Sequence, residues 1–367
     1  MAERFDPAGR VERKDFVVRP LKYRPIRPHS IEFEFNGERD WLLREFAYER
    51  LDIFDDYDRR EQTPRNMRWA SMGDDCTVDG GELRFNKLNF SSKKDMDKMH
   101  KATSIIMQGI EEGRIDVEDN CGFHNHIDMH GFTEDEGMKL LDIWNYIEDP
   151  IFQIASALTP GPRGECGPLP KRGFTCSTAT RGYGLNLDNF YFNELQPRNY
   201  YGHTSTDRIT AEFRVFNGCA NMRKTLAYVS LCQSMLSLAK LHARNDITLD
   251  DPFEVDNPDW REDDDYDRYC ENCRDYYDYC GCTPPEPVEA KPWIETTKDR
   301  LTWMFRTLPM TKADKANLAY CVKNAPGYER TGILDESFID GLVATSSKRW
   351  NQEPVEADTT VFDSRLY

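Results

Sequence analysis

Residues 31–35 read Ile31-Glu32-Phe33-Glu34-Phe35, IEFEF, an unbroken alternation of apolar and acidic side chains. Successive side chains of a β-strand point to opposite sides, so a period of two marks a strand with one buried face. Ile31, Phe33 and Phe35 then face a core, and Glu32 and Glu34 face away from it. A helix would scatter the same five residues around its circumference, so this stretch commits its part of the chain to a sheet.

Other segments follow the same rule. VDGGELRF (Val78 to Phe85) opens with an Asp-Gly-Gly turn signal and continues as a strand. NCGFHNHID (Asn120 to Asp128) sets His124 and His126 two residues apart, and RGYGLNL and TAEFRVFNG read as further strands. Between them lie helical patterns. Met96, Met99, Ile106 and Ile110 recur at helical spacing and the pattern stops at Gly113. Thr133 to Glu136 forms a capping box before Met138, Leu141, Trp144 and Ile147, and residues 220–244 form a long apolar helix. Strands and helices intermix without a repeated βαβ rhythm, which predicts an α+β fold with an antiparallel sheet.

The chain has 367 residues, 39% of them hydrophobic, enough for a buried core. No run of ~18 apolar residues and no apolar segment behind a basic N-terminus is present, so neither a transmembrane helix nor a secretory signal is expected. The formal net charge of −17 opposes non-specific binding to nucleic acid or anionic membrane, while leaving room for a local basic phosphate site. Seven of the 11 cysteines are scattered singly and read as reduced structural thiols, which fits a cytoplasmic protein. The other four, Cys270, Cys273, Cys280 and Cys282, form a C-x2-C and a C-x-C pair. That spacing can wrap one structural Zn²⁺, or leave four unligated thiols in an acidic loop.

The polar faces of the strands carry the chemistry. Glu32 and Glu34 share one face, Glu82 follows Gly80-Gly81, His124 and His126 share a face, and Glu212 and Arg214 share a face with Phe213 and Val215 opposite. Each pair could be the solvated side of a sheet. A sheet with all of them on its concave side would instead hold hard divalent cations, with Arg214 suited to a phosphate through its planar fork of donors. Periodicity leaves both readings open.

The ordered set IEFEF, DDCTVDGGELRF, NCGFHNHID, LTPGPR, RGYGLNL and TAEFRVFNG resembles the amidoligase family of glutamine synthetase-like carboxylate–amine ligases. It covers roughly residues 29–245. The resemblance implies a glutamine synthetase-like curved antiparallel sheet with flanking helices, here residues 29–246. An extended arm (1–28) precedes it. An acidic segment with a candidate zinc knuckle (247–290) and a helical extension with a tail (291–367) follow it. It further implies that Glu32, His124 and Glu212 hold the Mg²⁺ bridging the phosphates of ATP, and that Glu34 and Glu82 hold a second Mg²⁺. Arg214 would contact the γ-phosphate. His126 would support the site or touch substrate, Arg163 and Arg181 would clamp phosphate or substrate, and Asn186 would orient a ligand. Ser30 stands where the family usually has glycine, and DDCT, which includes Asp75, stands where Asp-Gly-Ser is usual.

The implied reaction joins a carboxylate to an amine, on a small molecule, peptide or protein, through an acyl phosphate. The chain has no Walker-type Gly-Lys-Ser/Thr loop. The resemblance also admits a catalytically silent structural or binding relative, and a phosphotransferase on the same fold. Relatives on this fold form rings or dimers, which makes a homo-oligomer an expectation.

Overall fold

The computed structural model describes residues 27–51, 53–55, 69–75, 78–90, 92–117, 121–155, 169, 175–195, 209–218, 221–245, 295–325 and 335–345. The arm up to residue 26, the acidic segment, the tail, Arg163 and the four clustered cysteines lie outside the described residues.

An open sheet of eight strands forms the centre. β1 (His29–Gly37) lies between β4 (Gly81–Leu88) and β6 (Gly122–Asp128). β8 (Thr210–Asn217) and the two-residue β7 (Leu185–Asn186) continue the sheet beyond β6. On the other side β4 is followed by β3 (Ala70–Gly73) and β2 (Ile53–Asp55), and β5 (Ile115–Asp116) pairs with the end of β1. Every pairing is antiparallel except β2 with β3, which run parallel. The sheet is therefore mixed at one edge rather than wholly antiparallel. The parallel pair, β2 and β3, spans three and four residues, too short to show a hydrophobic period.

The alternation in β1 sorts its side chains as the pattern requires. Ile31, Phe33 and Phe35 are buried in the hydrophobic core, together with Leu83 and Phe85 of β4, Phe123 and Ile127 of β6, and Phe213 of β8. The helices α2 (Lys93–Glu111), α3 (Glu134–Ala155) and α5 (Met222–Asn245) contribute to the same core. Met96, Met99, Leu141, Trp144 and Ile147 are buried as their spacing predicts, and the capping box at α3 is formed in both directions between Thr133 and Glu136. Trp144 packs on Phe213 with ring centroids 5.7 Å apart, which ties α3 to β8. The remaining helices among the described residues are α1 (Arg39–Tyr48), the single turn α4 (Asp188–Phe190), which runs on into a π-helical turn (Tyr191–Leu195), α6 (Glu295–Thr307), α7 (Lys312–Lys323) and α8 (Glu336–Ala344). No described helix is long and apolar enough to cross a membrane.

The three C-terminal helices join this core. Leu301, Met304, Phe305, Leu318 and Val322 belong to it. The Asn221 side chain donates to the Tyr320 hydroxyl at 3.1 Å, and Arg300 of α6 pairs with Asp149 of α3.

Two local features aim the central strands. Gly81 sits at φ +132°, in the region that favours glycine, and a Cβ on Gly80 would lie 2.4 Å from the Phe35 carbonyl oxygen, so the Gly-Gly pair lets β4 close against β1. The second is a register shift between β6 and β8. Phe123 pairs with Phe216 and Asn125 with Phe213, so three steps on β8 oppose two on β6. The extra residue is a β-bulge, a feature that re-aims side chains. It carries Phe216 to the core side, where it stacks on Tyr228 at 4.1 Å.

Candidate metal and phosphate site

The face of the sheet opposite the core gathers polar groups from five neighbouring strands. Glu32 lies opposite Arg84 on one side and His124 on the other, while Glu34 lies opposite Glu82. His126 lies opposite Glu212, and Asn186 lies opposite Glu212 from the far side. Across the sheet the order is Glu82-x-Arg84, Glu32-x-Glu34, His124-x-His126, Glu212-x-Arg214. Each of the four central strands thus supplies two functional groups at i and i+2. Glu34, Glu82, His124, His126, Asn186, Glu212 and Arg214 are all buried.

The contacts among them are close. The His124 Nδ1 atom lies 3.4 Å from Glu32 Oε2 and 3.8 Å from Glu212 Oε1, and its Nε2 lies 3.6 Å from Glu34 Oε1. The His126 Nε2 atom lies 3.2 Å from Glu32 Oε2 and 3.8 Å from Glu212 Oε1, with Nδ1 turned 3.5 Å from the Thr210 hydroxyl. Arg214 donates to Glu212 Oε1 at 2.5 Å, and Asn186 Nδ2 donates to Glu212 Oε2 at 2.8 Å. Asn186 in turn accepts from the Asp188 backbone N–H, and the Gly122 N–H donates to Glu34 Oε2 at 2.8 Å. The carboxylates are therefore held in fixed orientations by groups around them.

Three sets of ligand atoms fall within 4.8 Å of one another: Glu32, Glu82 and His124; Glu32, His126 and Glu212; and Glu34, Asp75 and Glu82. All but one of these residues belong to the metal, catalytic or cofactor-binding residues expected from the sequence. The exception is Asp75, whose contribution depends on how the loop before β4 folds back. The structure groups His126, expected in a supporting role, with Glu32 and Glu212, and groups His124 with Glu32 and Glu82. Arg84 is a further member that the sequence reading passed over. It pairs with Glu82, and its Nε lies 3.9 Å from Glu32 Oε1. Its signal was available in GELRF, where Glu82 and Arg84 repeat the spacing of Glu212 and Arg214.

Arg181 is exposed on the turn before β7, and its backbone rather than its side chain engages the Asp188 carboxylate. Asn186 is turned to Glu212, so the ligand it orients among the described residues is a protein carboxylate.

Burial and crowding shape the charges. Burial by itself would raise Glu32, but the imidazoles of His126 and His124 hold its carboxyl well below the usual range. Burial likewise acts upward on Glu212, and His126, Arg214 and His124 outweigh it and bring the carboxyl down. Glu82 goes the other way, to about 9, pushed by burial and by the Glu32 carboxylate against the pull of Arg84. A divalent cation would relieve the repulsion between Glu32 and Glu82, and the mainly carboxylate donor set suits one.

No protein-family model matches the chain, and no curated protein matches it.

Proposed function

We propose that the chain is an ATP- and Mg²⁺-dependent carboxylate–amine ligase that forms an amide or peptide bond through an acyl phosphate. The observation that carries the reading is the lining of the sheet: four adjacent strands direct eight acidic, imidazole and guanidinium groups to one face, and six of them, with Asp75, form three sets able to hold a cation. A structural sheet has no reason to bury so many mutually repelling carboxylates.

In this reading Glu32, the two histidines and Glu212 hold the cation nearer β8, and Glu34, Asp75 and Glu82 offer a second oxygen-rich position near β4. Bound Mg²⁺ would neutralise charge on the phosphate oxygens. Arg214, fixed by its bond to Glu212, places a guanidinium beside the same position, where it would bind the transferring phosphoryl group. A carboxylate oxygen of one substrate attacks the γ-phosphorus and ADP leaves. The amine of the second substrate then attacks the acyl carbon, phosphate leaves, and the amine's proton is released. The buried setting shields the acyl phosphate from water. The step needs no protein nucleophile.

The test is calorimetry of ATP binding with and without Mg²⁺, on the wild-type chain and on Glu32→Ala and Glu212→Ala. The expected result is Mg²⁺-dependent binding that both substitutions weaken at least tenfold. Absence of binding to the folded wild-type chain would overturn the reading. ADP release that requires both a carboxylate and an amine, with a new amide seen by mass spectrometry, distinguishes the ligase from a phosphotransferase.

A further inference from the structure

Ser71 of β3 extends the polar face beyond the four central strands. Ala70 and Met72 belong to the hydrophobic core, so Ser71 and Gly73 turn to the other side, opposite Arg84 and Glu82 of β4. Ser71 is fully buried, and among the described residues its hydroxyl has no hydrogen-bond partner. A buried hydroxyl left unpaired costs stability, and an apolar group in its place does not. Phe54 of β2 lies beside Ser71 in register and is half-buried. One row across the sheet therefore runs Phe54, Ser71, Arg84, Glu32. The strands carry two guanidinium groups among the described residues, at opposite ends of the lining. Arg214 is bonded to Glu212, while Arg84 pairs with Glu82 and places Nε 3.9 Å from Glu32 Oε1. Strands β1 and β6 lie between them, three steps that put the two backbones ~14 Å apart. Each is held by the carboxylates of its own end, so a group bound by Arg84 is distinct from the phosphoryl group at Arg214.

We propose that Arg84 and Ser71 bind a second carboxylate of the acid substrate, separate from the one that reacts, so that this substrate is a dicarboxylate. The inference rests on the ligase reading and names the substrate class of the same face. A guanidinium fork and a hydroxyl supply donors matched to the two oxygens of one carboxylate, and one positive charge meets one negative charge. With Glu32 and Glu82 turned to a cation, the fork of Arg84 is left for that carboxylate. Phe54 bounds the subsite on its far side with an apolar ring. Arg84 stands one strand from Glu32, so the two carboxylates of the substrate lie about one to two strand spacings apart, roughly 5–10 Å, a gap suited to about three or four methylene groups.

The experiment is calorimetry on the full chain with Mg²⁺ present. The probes are glutarate and adipate, each paired with the monocarboxylate of equal length, pentanoate or hexanoate. Each diacid should bind about tenfold or more tighter than its monoacid, the worth of hydrogen bonds to a charged group. Ser71→Ala should cut that preference about threefold or more, and Arg84→Gln should abolish it. Circular dichroism checks each fold. A variant that merely disturbs the sheet or the cations weakens both acids alike and keeps the preference. That result would overturn the proposal, as would a wild-type chain that binds diacid and monoacid equally. In urea, Ser71→Ala should unfold at no lower midpoint than the wild-type chain, because it removes a buried unpaired hydroxyl. A lower midpoint would assign the hydroxyl to the fold and overturn its role in binding. If Arg84→Gln does not fold, the preference measured in Ser71→Ala decides the matter. A diacid preference lost in the variants, with no amine-dependent ADP release, would leave the subsite standing and refute the ligase. Amide formation from monoacids and diacids at equal efficiency would do the reverse.

Discussion

His29 opens β1, the strand that carries Glu32 and Glu34, and it is buried. Its ring stands edge-on to Phe90 with centroids 4.5 Å apart, and Nδ1 lies 3.4 Å from the Arg27 carbonyl oxygen. Among the described residues Nε2 has no hydrogen-bond partner. Burial drives the imidazole from its ordinary 6.5 down to about 4, with the Arg27 carbonyl opposing only in part. The folded pKa lies below the unfolded one, so between those values the unfolded chain binds the extra proton. The stability that His29 contributes is therefore present above about pH 6.5 and is lost as pH falls toward 4. With about 1.4 kcal/mol per unit, the full difference is about 3.4 kcal/mol, of which about 2.4 kcal/mol falls between pH 7 and pH 4.5. His29→Phe fills similar volume and removes the titration, at a cost below about 1.5 kcal/mol at pH 7. Urea unfolding of both chains at the two pH values checks this. The wild-type chain should lose about 2 kcal/mol more stability than the variant over that interval. Equal losses would refute the assignment of His29 as a buried neutral imidazole.

Asn186→Leu leaves Glu212 Oε2 without the donor that orients it, and should weaken divalent-cation affinity about tenfold with the fold retained, measured by calorimetry. Gly80→Ala places a Cβ against the Phe35 carbonyl and the Asn36 carbonyl carbon and should destabilise the chain by more than about 2 kcal/mol in urea unfolding. Thr311→Ala removes one side of the capping box at α7 and should cost about 1 kcal/mol, measured by the same method. The four clustered cysteines are proposed to hold one structural zinc, and metal analysis of the purified chain should find about one per molecule.

The sequence by itself determined which residues face the core and which face the site, wherever a strand was long enough to show its period. IEFEF, GELRF, GFHNHID and AEFRV each separate apolar from functional groups at a spacing of two, and the helical patterns named Trp144 and the capping box before it. Side-chain direction along a strand is local, so it can be read without knowing the neighbours. Which groups meet across strands is not local. The register of β1 against β4 and β6 puts Arg84 and His124 on either side of Glu32, and the bulge in β8 returns Phe216 to the core although strict alternation would turn it outward. Pairing register also set His126 beside Glu32 and Glu212, and the loop before β4 brought Asp75 to Glu34 and Glu82. The short strands β2 and β3 and their parallel pairing left no trace in the period, because three or four residues held at a sheet edge owe their conformation to the strand beside them.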